Sequence, residues 1–101
     1  MLADKLRKSP LLVAYFSQDD CQVCKVLKPK VNHLVDSFKG MEFLYIDIDS
    51  HPSLSGQSLV FSIPTIVIFV SGKEHVRFSR HISMDDLNVQ LEKLHDLVFG
   101  E

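Results

Sequence analysis

The chain has 101 residues, 46% of them hydrophobic and 24% charged, with a formal net charge of −2 at pH 7. That is the composition and size of one soluble globular domain over residues 1–101, burying roughly 65% of the surface its unfolded chain exposes. The slightly acidic balance argues against nucleic acid as a principal partner, which would favour a basic stripe, and no apolar run approaches the ~20 residues of a membrane-spanning helix.

Leu2–Lys8 alternates apolar and charged residues as a short helix does, and Pro10 stops it. Leu11–Phe16 is continuously apolar, the pattern of a central strand covered on both faces. It is too short for a signal-peptide core and runs into Ser-Gln-Asp-Asp rather than a small-residue cleavage site, so the expectation is a cytoplasmic protein. Ser17-Gln18-Asp19-Asp20 is a polar turn in which Asp19 or Asp20 suits the N-cap of a helix. From Cys21 to Phe38, the apolar residues Val23, Val26, Leu27, Val31, Leu34, Val35 and Phe38 recur at steps of three and four, predicting that helix to be amphipathic. Pro29 removes one of its hydrogen bonds and predicts a kink, and Gly40 ends the segment.

Phe43–Asp49 begins as a buried strand and acquires alternation at its end. Ser50-His51-Pro52 signals a short helix towards Val60, weakened by Gly56. Thr65–Val70 is a β-branched strand, Ser71-Gly72-Lys73 a turn, and Glu74–Phe78 the half-exposed second strand of a hairpin. Ser83 caps the last helix, with Asp85 and Asp86 in its first turn and Leu87, Leu91, Leu94 and Val98 inside. The order α-β-α-β-α-β-β-α opens on a β-α-β unit with a right-handed crossover and predicts an α/β fold of four strands between helical layers.

Cys21 and Cys24 are the only cysteines. They open a helix directly after a strand, where unpaired N–H groups and about half a positive charge stabilise a thiolate. Three residues apart, the two lie one turn from each other, close enough for an intramolecular disulfide. This spacing favours two-electron exchange with another dithiol. Two other readings stay open: half of a zinc site, for which a second CxxC is lacking, and a structural or inert pair.

A CxxC opening the helix after a strand, with Ile63-Pro64-Thr65 before a later strand and Gly72 in the next turn, resembles the thioredoxin family. Lys25 directly after the second cysteine and Pro29 five residues beyond it add to the likeness, which runs through nearly the whole chain. The resemblance implies a thioredoxin-like three-layer α/β/α sandwich with a central four-stranded mixed sheet, lacking the family's initial edge strand. It implies that Cys21 is the exposed nucleophile and Cys24 the shielded resolving thiol. Pro64 would be cis, and Gln22, Val23, Ile63, Pro64 and Arg80 would line a substrate groove. The partners implied are protein disulfides and a thiol reductase, with no cofactor or metal beyond the cysteine pair, and the chain itself is expected to be a monomer.

The departures matter equally. Gln22-Val23 replaces the family's Gly-Pro between the cysteines, and no tryptophan precedes Cys21. The family's buried aspartate falls on Ala14 or Tyr15 and its lysine partner on Tyr45, which removes the general base for Cys24. Arg80, flanked by His81, stands where a small residue leaves room for an incoming backbone. Three functions remain in play: a thiol–disulfide oxidoreductase, a thioredoxin-fold scaffold or redox sensor with little turnover, and metal capture by the pair with an outside ligand.

Overall fold

Seven consecutive buried side chains, Leu11–Ser17, form the innermost strand. In this computed structural model residues 8–57, 60, 62–79 and 82–100 are described, with the backbone alone at residues 54, 55 and 57. The elements are β1 (Leu11–Ser17), α1 (Gln22–Asp36), β2 (Glu42–Asp47), α2 (Pro52–Gln57), β3 (Thr65–Val70), β4 (Lys73–Ser79) and α3 (Met84–Phe99). Of the expected Leu2–Lys8 helix only Lys8 is described, and it is helical, the rest lying outside the described residues; of the helix expected to reach Val60, residues 58 and 59 lie outside them and Val60 is not helical.

The sheet order is β2-β1-β3-β4. β1 pairs parallel to β2, with Tyr15 opposite Tyr45, and antiparallel to β3, which pairs antiparallel to β4. Alternate side chains of a strand face opposite sides, so β1 serves two cores. Leu11, Val13 and Tyr15 pack with Val31 and Val35 of α1 and with Leu87, Leu91 and Leu94 of α3. On the other face Leu12, Ala14 and Phe16 pack with Val67, Ile46 and Val60, and all are buried. The mixed four-stranded α/β/α sandwich expected from the sequence is the fold observed.

Three local expectations are corrected. The strand expected over Phe43–Asp49 starts buried in the sequence reading, yet only Ile46 of β2 is fully buried. Its position at the end of the sheet leaves it with one neighbour among the described strands, and it stops at Asp47. There the Asp47 carboxylate accepts the Asp49 N–H at 2.9 Å, the local bond that turns a chain out of a strand. The hairpin turn is two residues rather than three. Ser71 (φ 51°) and Gly72 (φ 84°) both take positive φ and Lys73 already pairs with Val70, the geometry whose twist suits a hairpin. Finally, Val23 and Val26 are 63% and 62% exposed. The buried face of α1 follows Cys24, Val31 and Val35, and both valines lie off it. The helix runs on through Pro29 without ending.

Gly40 joins α1 to β2 at φ +87°, and an added Cβ would sit 2.9 Å from the ring of Phe99. The ring is the end of a movable side chain, so the left-handed backbone sets most of the cost. Gly40→Ala should lower stability by about 1–2 kcal/mol, and Gly40→Asn by less, because asparagine visits that region more readily. Urea unfolding would measure both; an alanine variant as stable as the parent would show that the turn relaxes out of this conformation.

Candidate functional site

The carboxyl end of β1 delivers the chain to the site. The Cys21 N–H donates to the Gln18 carbonyl at 3.1 Å, closing the turn that separates strand from helix. Cys21 itself is the N-cap of α1, with extended backbone, and its Sγ accepts the Cys24 N–H at 3.1 Å. The sequence reading placed Asp19 or Asp20 in this role, but the helix starts at Gln22, one residue later than expected. That shift puts a sulfur where the capping side chain belongs. An anionic sulfur in this place faces the unpaired N–H groups and the positive end of the helix dipole, with no acidic residue in the first turn to oppose it.

Cys21 and Cys24 are joined as a disulfide with Cα atoms 5.2 Å apart. Cys21 is partly exposed, whereas Cys24 retains 1% of its accessible surface. One sulfur can therefore meet an incoming partner; the other sits at the edge of the core, packed with Val31, Ile66 and Tyr15 in one cluster.

Tyr15 lies behind the pair. It is fully buried, and its hydroxyl donates to the Cys24 carbonyl at 2.7 Å. Of the two positions that the sequence left open behind the second cysteine, Tyr15 faces Cys24 and Ala14 faces the opposite core. Burial, and secondarily the neighbouring Tyr45, pushes the Tyr15 phenol up to about 12, so it stays neutral through the working pH range. The Tyr15 and Tyr45 rings stack at 6.0 Å, and Lys28 Nζ lies 3.9 Å over the Tyr45 ring. The cation next to this stack thus comes from α1, not from the strand. The hydrogen bond was not foreseen; a tyrosine in an otherwise aliphatic run, whose hydroxyl needs a partner when buried, was its signal.

Ile63–Pro64 is a cis peptide, as the resemblance implied. Pro64 is buried and Ile63 half-buried against the same core as Cys21 and Cys24. The Thr65 hydroxyl donates to the Ser62 carbonyl at 2.7 Å, closing the bend that carries the proline. Gln22 and Val23 stand exposed in the first turn of α1 and, with Val26, Leu27 and Lys30, line a cavity of mainly apolar surface. Val26, Leu27 and Lys30 were not singled out from the sequence as site residues. Arg80 and His81 lie outside the described residues. Among the described residues no group of three or more histidine, cysteine, aspartate or glutamate side chains could hold a metal ion. No described helix is long and apolar enough to cross a membrane.

Residues 2–93 match the family model described as Thioredoxin. The chain is 28% identical over 87 residues to the thioredoxin-like protein YdfQ of Bacillus subtilis (strain 168), covering 86% of this chain and 78% of that protein. It is 36% identical over 72 residues to a thioredoxin of Chlamydia trachomatis serovar D, covering 71% and 70%. Among solved structures, thioredoxin 1 from Thermosipho africanus TCF52B matches with a TM-score of 0.80 at 31% identity, over 85% of this chain and 96% of that one. A mutant thioredoxin from Halobacterium salinarum NRC-1 matches with a TM-score of 0.86 at 27% identity, over 96% and 85%.

Proposed function

This chain belongs to the thioredoxin family and is a thiol–disulfide oxidoreductase, and from that premise we propose that Cys21 attacks a disulfide of a protein substrate while Cys24 resolves the intermediate. The observation that supports this division of labour is the contrast between the two sulfurs. Cys21 caps α1 and is partly exposed; Cys24 is buried one turn inside. In the forward step the Cys21 thiolate forms a bond to one substrate sulfur and the other leaves as thiolate. Cys24 then attacks the Cys21 sulfur, the second substrate thiolate leaves, and the pair ends as the observed disulfide. Two electrons pass to the substrate, and a thiol reductase supplies two more to restore the dithiol.

In this reading Gln22, Val23, Ile63 and Pro64 form the groove into which the substrate's extended backbone docks, pairing along the Ile63 edge as an added strand. Arg80 belongs to the groove on the resemblance alone. The working form is a cytoplasmic monomer without a metal or organic cofactor. Having both cysteines in one exchange-competent pair suits a reducing compartment, where structural disulfides do not persist.

Catalysed reduction of insulin, with dithiothreitol or a thioredoxin reductase supplying electrons, tests the reading. Turnover should be abolished by Cys21→Ser and persist in the parent after dialysis against a chelator. A parent protein whose pair oxidises and reduces with glutathione yet speeds insulin reduction no more than the Cys21→Ser variant would favour a scaffold or redox sensor.

A further inference from the structure

We propose that Tyr15 is a positioning residue for the cysteine pair: its hydroxyl holds the peptide unit between Cys24 and Lys25, and so keeps the resolving sulfur where the intramolecular disulfide closes. The inference rests on the reading of Cys21 and Cys24 as the exchanging pair and extends it to a buried residue that bonds the backbone behind that pair.

The peptide unit in question is held from both ends. Its carbonyl, that of Cys24, accepts the Tyr15 O–H at 2.7 Å, and its N–H, that of Lys25, donates to the Cys21 carbonyl at 3.2 Å. The bonds form a series from the phenol through the Cys24–Lys25 peptide to the backbone of Cys21. Hydrogen bonds in series polarise and strengthen one another, most of all away from water. The Cys24 N–H, on the other side of the same residue, is committed to Cys21 Sγ at 3.1 Å. The backbone of Cys24 is thereby fixed on both sides relative to Cys21.

The anchor is itself rigid. Tyr15 sits on the central strand, has no accessible surface, and its ring centroid lies 6.0 Å from those of both Phe43 and Tyr45. Its high pKa keeps the donor proton in place wherever the cysteines react. A neutral donor aimed at the backbone can orient Cys24 without taking its proton, so its effect is on geometry and not on acid–base chemistry.

That distinction has a measurable consequence. When two glutathione thiols reduce the protein, the Cys21–Cys24 bond breaks and one glutathione disulfide forms; two electrons and two protons pass to the pair. The equilibrium constant of the reverse, closing reaction depends on the effective concentration of the Cys24 sulfur at Cys21. Without the hydroxyl the reduced pair gains conformations in which the sulfurs are apart. A hydrogen bond is worth on the order of a fivefold change in such an equilibrium.

Tyr15→Phe should therefore lower the closing constant against glutathione about three- to tenfold and slow release of a partner from the mixed disulfide by a similar factor. Its capture of a disulfide through Cys21, measured in a Cys24→Ser background, should stay at the parental rate. Tyr45→Phe, which keeps the ring stack and removes no hydrogen bond to either cysteine, should leave the closing constant unchanged. The chain has two tyrosines. Incorporation of 3-fluorotyrosine into the Tyr45→Phe protein therefore labels Tyr15 alone with a more acidic, stronger donor, and should raise the closing constant. A Tyr15→Phe protein with lowered thermal stability but the parental closing constant and release rate would overturn the proposal and leave Tyr15 a packing residue. Should that variant not fold, an unchanged closing constant in the fluorinated protein overturns it equally. Failure of the parent itself to exchange with glutathione would overturn the redox reading beneath it, and is told apart by needing no variant.

Discussion

Replacing Cys24 by serine should load the protein with mixed disulfides in a cell extract, while replacing Cys21 should leave it almost bare, at least a tenfold difference in trapped partners. The expectation rests on burial and position together. Cys21 is the partly exposed cap of α1, where its sulfur already accepts a backbone N–H at 3.1 Å. A thiolate there gains a charge-assisted form of the same bond, roughly twice as strong as its neutral counterpart. Cys24 keeps 1% of its surface, so a partner's disulfide cannot approach it in line. With Cys24 removed, the first exchange occurs and the second cannot, and the intermediate persists. Non-reducing electrophoresis and mass spectrometry of affinity-purified variants would read the result. Equal trapping by the two variants, or alkylation of Cys24 ahead of Cys21 in the reduced protein, would reverse the proposed roles.

Placing an acid at position 15 should be the most damaging single change at the site. Tyr15→Asp would bury a carboxylate where the strand partner directly opposite is Tyr45. It would also remove a ring packed against Phe43 and Tyr45. An unpaired buried charge and a lost aromatic each cost about 3–5 kcal/mol, and together they should lower stability by at least that much. Lys28 does not rescue it, because its Nζ is engaged over the Tyr45 ring. The sign of the pH dependence is fixed. Burial would raise the folded-state pKa of the new carboxyl above its unfolded value, so the variant should suffer least below the unfolded pKa. It should lose stability progressively as pH rises through the folded one. Adding Tyr45→Lys should recover part of the loss by supplying the missing cation. In the parent, with a neutral phenol behind Cys24, resolution should speed up about tenfold per pH unit towards the thiol's own pKa, because only thiolate attacks. A stable Tyr15→Asp protein whose resolution follows the parental pH profile would show that position 15 does not govern Cys24.

Much of this was legible in the chain because it is local. Steps of three and four among Leu27, Val31, Leu34 and Val35 mark a helix wherever that helix packs, and Ser83 followed by Asp85 and Asp86 marks a helix start. The unbroken run Leu11–Phe16 marks a strand covered on both sides. The CxxC after that strand, joined to Ile63-Pro64-Thr65, placed the chemistry because backbone N–H groups at a helix start favour an anionic sulfur in any fold. What the tertiary structure decided were questions of phase and neighbourhood. A continuously apolar strand has no polar face to set its phase, so Ala14 and Tyr15 were equivalent in sequence until α1 and α3 packed on the side of Tyr15. The sequence of β2 reads as buried, but strand order alone puts it at the end of the sheet. Val23 and Val26 fit the helical period, yet the angle at which α1 lies on the sheet turns them outward beside the disulfide. The one-residue shift that makes Cys21 its own helix cap depends on how the turn from β1 closes onto Gln18. Periodicity specifies which residues share a face; only the packing of whole elements specifies what that face meets.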